Sequence, residues 1–242
     1  MKITIYRCND PYVVAKKSEI LTIAREAFDD VPDEAIELRL QKYPEIAIAA
    51  DDEGIGGFVF PTPHACGRNR MVGLRFLTVG DRCRNRKLTT LLTGVVLVRA
   101  YRKYLVERLR PGGPKNIYVV ARVCNPKAYY TLTKGNPGVS PELGAKEPRA
   151  RVLERHELYA WMEQGLGLSQ FDPKTGIVVD GAVGAGIVPR NVSVGSKDQE
   201  DWNRYVPKGS EVMVLMNLDW KYLLNNVLRV LRLLKPVSLR KY

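Results

Sequence analysis

The chain has 242 residues, enough for one large domain or a domain with an extension. Its 45% hydrophobic and 26% charged residues are those of a folded globular protein, which excludes a disordered or low-complexity chain, and no short-period repeat points to a solenoid. The formal net charge of +12 points to an anionic partner, either a nucleotide-like cofactor or a nucleic acid.

The first ten residues, MKITIYRCND, lack the long apolar core of a signal peptide, and no run reaches the length of a membrane span. The expectation is a cytoplasmic protein with reduced thiols and no membrane contact. Its four cysteines (Cys8, Cys66, Cys83, Cys124) form no Cys-x-x-Cys pair, and with two histidines in the chain no metal site is expected. Residues 3–7 alternate apolar and polar and predict a strand. Residues 15–28 predict a helix, with Ile20, Ile23, Ala24 and Ala27 on one face. Pro32 and Asp33 begin a second helix that Pro44 stops. Residues 45–50 and 55–60 flank Asp-Asp-Glu-Gly, a hairpin signal whose acids are expected in water. Residues 61–69 (PTPHACGRN) predict a loop. Residues 71–79 then predict a central strand.

The stretch 79–92, VGDRCRNRKLTTLL, opens a long amphipathic helix running to about Arg110. Leu88, Leu91, Leu92, Val95, Val98, Tyr101, Leu105 and Leu109 fall near helical spacing, and Pro111-Gly112-Gly113-Pro114 ends it. Arg75, Arg82, Arg84, Arg86 and Lys87 gather where strand hands over to helix. A helix N-terminus carries unpaired N–H groups and a partial positive charge, so this is a candidate phosphate site. Between residues 68 and 110 twelve Lys or Arg face only Asp81 and Glu107. Residues 117–123 predict another strand, after which Asn125 can cap a short helix with Pro126 at its first position.

This order of elements resembles the GNAT acyltransferase superfamily. In that family the strand before the long helix ends in V-x-P-x-x-R-x-x-G-x-G, and the helix start cradles the pyrophosphate of an acyl-CoA. The register here is Val79, Asp81, Arg84, Lys87 and Thr89, with Lys87 and Thr89 replacing the two glycines. The later segment resembles the family's N-x-x-A-x-x-x-Y-x-x-x-G through Asn125, Ala128, Leu132 and Gly135, with Tyr129 and Tyr130 beside the usual tyrosine position. The segments YYTL and FDPKTG are similar to a bacterial-type branch of the superfamily. The resemblance implies an α/β (α+β) fold with a mixed central sheet flanked by helices, and acetyl-CoA (acyl-CoA) as co-substrate. It implies that Leu77, Thr78 and Val79 face the pantetheine arm, and that Arg84, Asn85, Arg86, Lys87, Leu88 and Thr89 hold the pyrophosphate. Asn125 would orient the arm or a water, and Tyr129 or Tyr130 would protonate the leaving thiolate.

Residues 1–139 are expected to form this core, and 140–242 an extension that completes the sheet. In the extension, residues 135–148 predict a loop and 150–164 a helix carrying His156 and Glu157. Residues 177–179 and 192–194 predict short strands around GAVGAG, which no long helix follows and which is therefore not a dinucleotide fingerprint. Residues 211–218 predict a strand that closes the sheet, and Asp219 caps an amphipathic last helix, 220–234, expected to pack or to form a homodimer. Three functions stay open. One is an N-acyltransferase acting on a small-molecule or peptide amine. The second is a GNAT-like domain that binds a ligand without catalysis. The third is a nucleic-acid-binding protein using the basic region 68–110.

Overall fold

Residues 1–29, 31–84, 87–114, 116–133, 139–143, 158–159, 162, 170–179, 188–189 and 194–218 are described by the computed structural model of the chain. The chain opens with β1 (Lys2–Arg7). The Asp10 carboxylate then accepts the Tyr12 N–H at 2.9 Å and starts α1 (Pro11–Ala15). The helix expected over 15–28 therefore begins earlier, and it breaks at Lys16 before α2 (Lys17–Ala27), which buries Ile20, Ile23 and Ala24 as its spacing predicts. The two-residue β2 (Phe28–Asp29) leads into α3 (Glu34–Lys42), which ends short of Pro44.

Next come β3 (Glu45–Asp51), β4 (Gly54–Cys66) and β5 (Asn69–Val79). The loop expected over 61–69 is instead the second half of β4, with only Gly67 and Arg68 left to turn the chain. Proline is tolerated there because β3 pairs with β4 only as far as Val59, so Pro61 and Pro63 fall where β4 has β5 as its single neighbour. A 3₁₀ turn, Asp81–Cys83, precedes α4 (Leu88–Arg108). Leu88, Leu92, Val96 and Leu97 form the buried stripe of α4, while Leu105 and Leu109 at its far end stand exposed, outside the apolar face that their spacing predicts.

β6 (Asn116–Val123) and α5 (Pro126–Thr133) follow, then β7 (Val139–Ser140), β8 (Phe171–Asp172), β9 (Ile177–Val178) and β10 (Val188–Pro189). The chain continues with α6 (Ser196–Tyr205) and β11 (Glu211–Asn217). The β8–β9 turn is held by the Asp172 carboxylate, which accepts from Lys174 N–H at 2.8 Å and Thr175 Oγ1 at 2.7 Å. The sheet runs β1-β3-β4-β5-β6-β11-β9-β8, with β7 also pairing β11, and β2 pairs β10 separately. Among the described residues every pairing is antiparallel except β5 with β6, which α4 connects. β11 lies inside the sheet instead of closing it, because β9 and β8 continue beyond it.

Strand alternation divides the core. Ala47 and Ala49 of β3 and Val72 and Leu74 of β5 pack with the α4 stripe, while Ile46, Ile48, Phe58 and Phe60 pack with Ile20 and Ile36 of α2 and α3. Met71, Val120, Met213 and Leu215 form a third cluster with Tyr159 and Met162. Among the described residues no helix is long and apolar enough to cross a membrane. The expected helix 150–164 apart from Leu158, Tyr159 and Met162, the segment GAVGAG, Val192, Asp219 and the last helix lie outside the described residues, as do Asn85, Arg86, Gly135, His156 and Glu157.

Candidate functional site

β5 and β6 pair in parallel from Asn69–Asn116 to Leu74–Ala121 and then part. Beyond that point β6 keeps β11 as its neighbour, through Val123 with Val212, while β5 follows β4. The β4–β5 register shifts here, pairing Phe60 with Arg75 and Phe58 with Thr78, and Phe76 takes φ 52. Such a bulge bends a strand, and a non-glycine residue in the left-handed region is held there by its surroundings. Phe76 is held by stacking on Phe28 at 5.0 Å and by the Arg39 guanidinium at 4.1 Å. The result is a cleft of about 810 Å³, walled by residues 74–79 on one side and 121–125 on the other. The expected pantetheine-facing residues Leu77, Thr78 and Val79 all lie on this wall.

One end of the cleft is the start of α4. Lys87 occupies the N-cap with φ 57 and ψ 21 and makes no side-chain cap bond. Lys87 thus takes the left-handed conformation that favours glycine, so the turn keeps a glycine-like shape without the residue. Arg84, Lys87, Leu88, Thr89 and Thr90 line this end. First-turn N–H groups and a helix dipole are features that favour an anion.

The five cations grouped by the sequence do not all serve it. Arg82 turns away to the β3–β4 hairpin, where it donates to Asp51 at 2.9 Å and to the Gly54 carbonyl at 2.6 Å and pairs with Glu53. Asp51 and Glu53, two of the hairpin acids expected in water, thus balance it at the surface, where Asp52 and Glu53 stay exposed. Arg75 does line the cleft, but strand alternation sets it on the face opposite the Leu74 side chain and away from α4. Arg84 stays at the cleft, donating to the Glu26 carbonyl at 2.6 Å and pairing with Asp81.

The far wall holds the other candidates. The Asn125 side chain accepts the Ala128 N–H at 2.8 Å, which makes it the expected cap of α5. Asn125→Ala should lower stability by about 1 kcal/mol. A loss of turnover beyond the unfolded fraction, read from chemical denaturation and initial rates on the same sample, would add a functional role. Tyr129 is enclosed in the core: its hydroxyl donates to the Pro141 carbonyl at 2.7 Å and accepts the Leu143 N–H at 3.0 Å. Tyr130 lines the cleft, and its buried hydroxyl has no hydrogen-bond partner among the described residues. The two rings meet edge to face at 4.9 Å.

Cys124 also borders the cleft. Burial, and next the charge of Glu211, push its thiol up to about 12. At pH 8 only about one thiol in 10⁴ is then thiolate, so Cys124 should resist iodoacetamide in the folded protein and carry no acyl group after incubation with acetyl-CoA, both read by intact-mass spectrometry.

Sequence reasoning missed one pair. Arg122 and Glu211 sit side by side at the cleft, with Nε of Arg122 2.7 Å from the carboxylate and a second bond from Nη2. They are 89 residues apart in the chain, so no local motif announces them. Among the described residues no group of three or more His, Cys, Asp or Glu side chains could hold a metal ion.

No protein-family model matches the chain, and no curated protein sequence matches it. Solved structures do. An aminoglycoside 6'-N-acetyltransferase complexed with coenzyme A is similar at 13% identity and a TM-score of 0.42, over 90% of this chain and 98% of that one. A GNAT-like decarboxylase in complex with isobutyryl-CoA is similar at 16% identity and a TM-score of 0.40, over 90% and 100%. A GNAT family N-acetyltransferase from Escherichia coli in complex with CoA is similar at 20% identity and a TM-score of 0.38, over 55% and 68%.

Proposed function

We propose that the chain is an acyl-CoA-dependent N-acyltransferase, with acetyl-CoA as co-substrate and an amine as acceptor. One observation carries the reading: the edge of β5 that β6 leaves unpaired and the N-terminus of α4, which has no side-chain cap, line the same cleft. A strand edge offers main-chain donors and acceptors to an extended amide-bearing chain such as pantetheine, and a helix N-terminus offers N–H groups to a pyrophosphate. In this reading Leu77, Thr78 and Val79 pair with the arm through their backbone. Arg84, Asn85, Arg86, Lys87, Leu88 and Thr89 hold the pyrophosphate, and Asn125 orients the arm or a water.

The chemistry then asks mainly for positioning. The amine nitrogen attacks the thioester carbonyl, the carbon–sulfur bond breaks, and the amine loses a proton. A main-chain N–H of β5 would polarise the carbonyl. Tyr130 would donate a hydrogen bond to the leaving sulfur. Glu211, fixed in orientation by Arg122, would take the amine proton directly or through a water.

A nucleic-acid footprint is less well supported by the same residues. Arg70 pairs with Glu107, Arg99 with Glu45, and Arg82 and Arg84 with their own acids, so four of the twelve cations of 68–110 are engaged within the fold. The test is release of free thiol from acetyl-CoA in the presence of a panel of primary amines, with mass spectrometry of the acceptors. Acetylated amine and stoichiometric thiol support the proposal. Tight binding of CoA without turnover on any amine would make the chain a GNAT-like ligand-binding protein instead.

A further inference from the structure

The second-substrate half of the cleft is unevenly charged. Arg39, Arg75 and Arg122 all line it. The carboxylate beside them, Glu211, already accepts two bonds from Arg122, both on Oε2. Asp198 lines the cleft near Tyr130 instead. Arg39 gives one N–H to the Ala35 carbonyl at 2.7 Å and sits over the Phe76 ring. Arg75 has no hydrogen bond and no ion pair among the described residues; Glu211 is the carboxylate whose field reaches it, and the like charge of Arg122 opposes that field. Burial pushes the pKa of both guanidinium groups down. A half-enclosed cation with no direct ion-pair partner is costly, and an arginine fork presents two parallel donors to a planar anion.

The geometry points to a carboxylate-binding subsite: Arg75, assisted by Arg39, holds a carboxylate of the substrate on the cleft wall away from α4. This rests on the acyltransferase reading and narrows it to a substrate class. The carboxylate belongs either to the acceptor, as in an amino acid, or to the acyl group, as in a carboxyacyl thioester. Arg75 sits where either would pass, just beyond the last β5–β6 pair at Leu74 and Ala121. The pyrophosphate end of the cleft is built by other residues, so the two anion sites can be separated experimentally.

The experiment has two arms on the full-length protein. In the first, α-amino acids and their carboxamides are compared as acceptors with acetyl-CoA. In the second, malonyl-CoA and acetyl-CoA are compared by calorimetry. A preference for the carboxylate of about tenfold or more is expected in one arm, and that arm identifies the source. Arg75→Leu should abolish the preference while leaving acetyl-CoA affinity within about twofold of wild type, because Arg75 is not among the residues assigned to the arm or the pyrophosphate. Arg75→Lys, which keeps the charge but not the fork, should fall between. Absence of a preference in both arms, or its survival in folded Arg75→Leu, overturns the subsite. If acetyl-CoA does not bind at all, the acyltransferase reading falls separately. The subsite is then read by thermal melting with glutarate against glutaramide. Stabilisation by glutarate that Arg75→Leu removes supports it, and equal melting overturns it.

Discussion

Tyr130→Phe is expected to slow acyl transfer by about a hundredfold while leaving acetyl-CoA affinity unchanged. The Tyr130 hydroxyl is buried at the cleft and has no hydrogen-bond partner among the described residues. Such an orphan is paid for by something other than stability. Burial, and next the negative charge of Asp201, push the phenol well above its usual range. It is therefore protonated at neutral pH and remains a donor through mildly alkaline pH, but it gives its proton up reluctantly. Its role is to stabilise charge on the leaving sulfur by a hydrogen bond, with full protonation of the thiolate left to solvent. Two outcomes distinguish this from a packing role. The variant should melt at the same temperature as wild type or higher, since the orphan hydroxyl costs about 1–3 kcal/mol. The wild-type rate should show no alkaline fall assignable to Tyr130 up to about pH 10. A destabilised variant with an unchanged rate would make Tyr130 a core residue only.

Lys87→Glu is expected to weaken acetyl-CoA binding by roughly 30- to 100-fold, measured by calorimetry at low salt. Opposite unit charges 4 Å apart in water are worth about 1 kcal/mol, so replacing one attraction by one repulsion costs about 2 kcal/mol against the nearer phosphate charge and a fraction more against the farther one. The effect should shrink as ionic strength rises. Lys87→Gly separates charge from shape. It removes the left-handed strain of φ 57, worth up to about 1 kcal/mol, and should stabilise the protein while costing only a few-fold in affinity. If Lys87→Glu binds acetyl-CoA as wild type does, the start of α4 is not the pyrophosphate site.

What the sequence makes legible is local. Asn125 followed by Pro126 announces a capped helix because both signals act on the next turn, and the structure has that cap. The Asp-Asp-Glu-Gly hairpin and the strand–helix–strand step through α4 are legible for the same reason. Residues 61–69 mislead because two prolines signal a loop, and only the early end of β3 lets a strand hold them. α6 goes unseen because its sequence, SKDQEDWNRY, is almost wholly polar and buries Trp202 through tertiary packing alone. The charge pattern misleads too, since a count of cations cannot tell that Arg82 is neutralised by a hairpin some thirty residues earlier while Arg75 faces the cleft. The Arg122–Glu211 pair is beyond local reading, because pairing of β6 with β11 is what brings the two together.

The most direct test of the central claim is a crystal structure with acetyl-CoA bound. The account predicts the pyrophosphate on the N–H groups of Leu88, Thr89 and Thr90, the arm along Leu77, Thr78 and Val79, and the thioester sulfur within hydrogen-bond reach of the Tyr130 hydroxyl. Acetyl-CoA bound elsewhere, with the gap between β5 and β6 left empty, would contradict it.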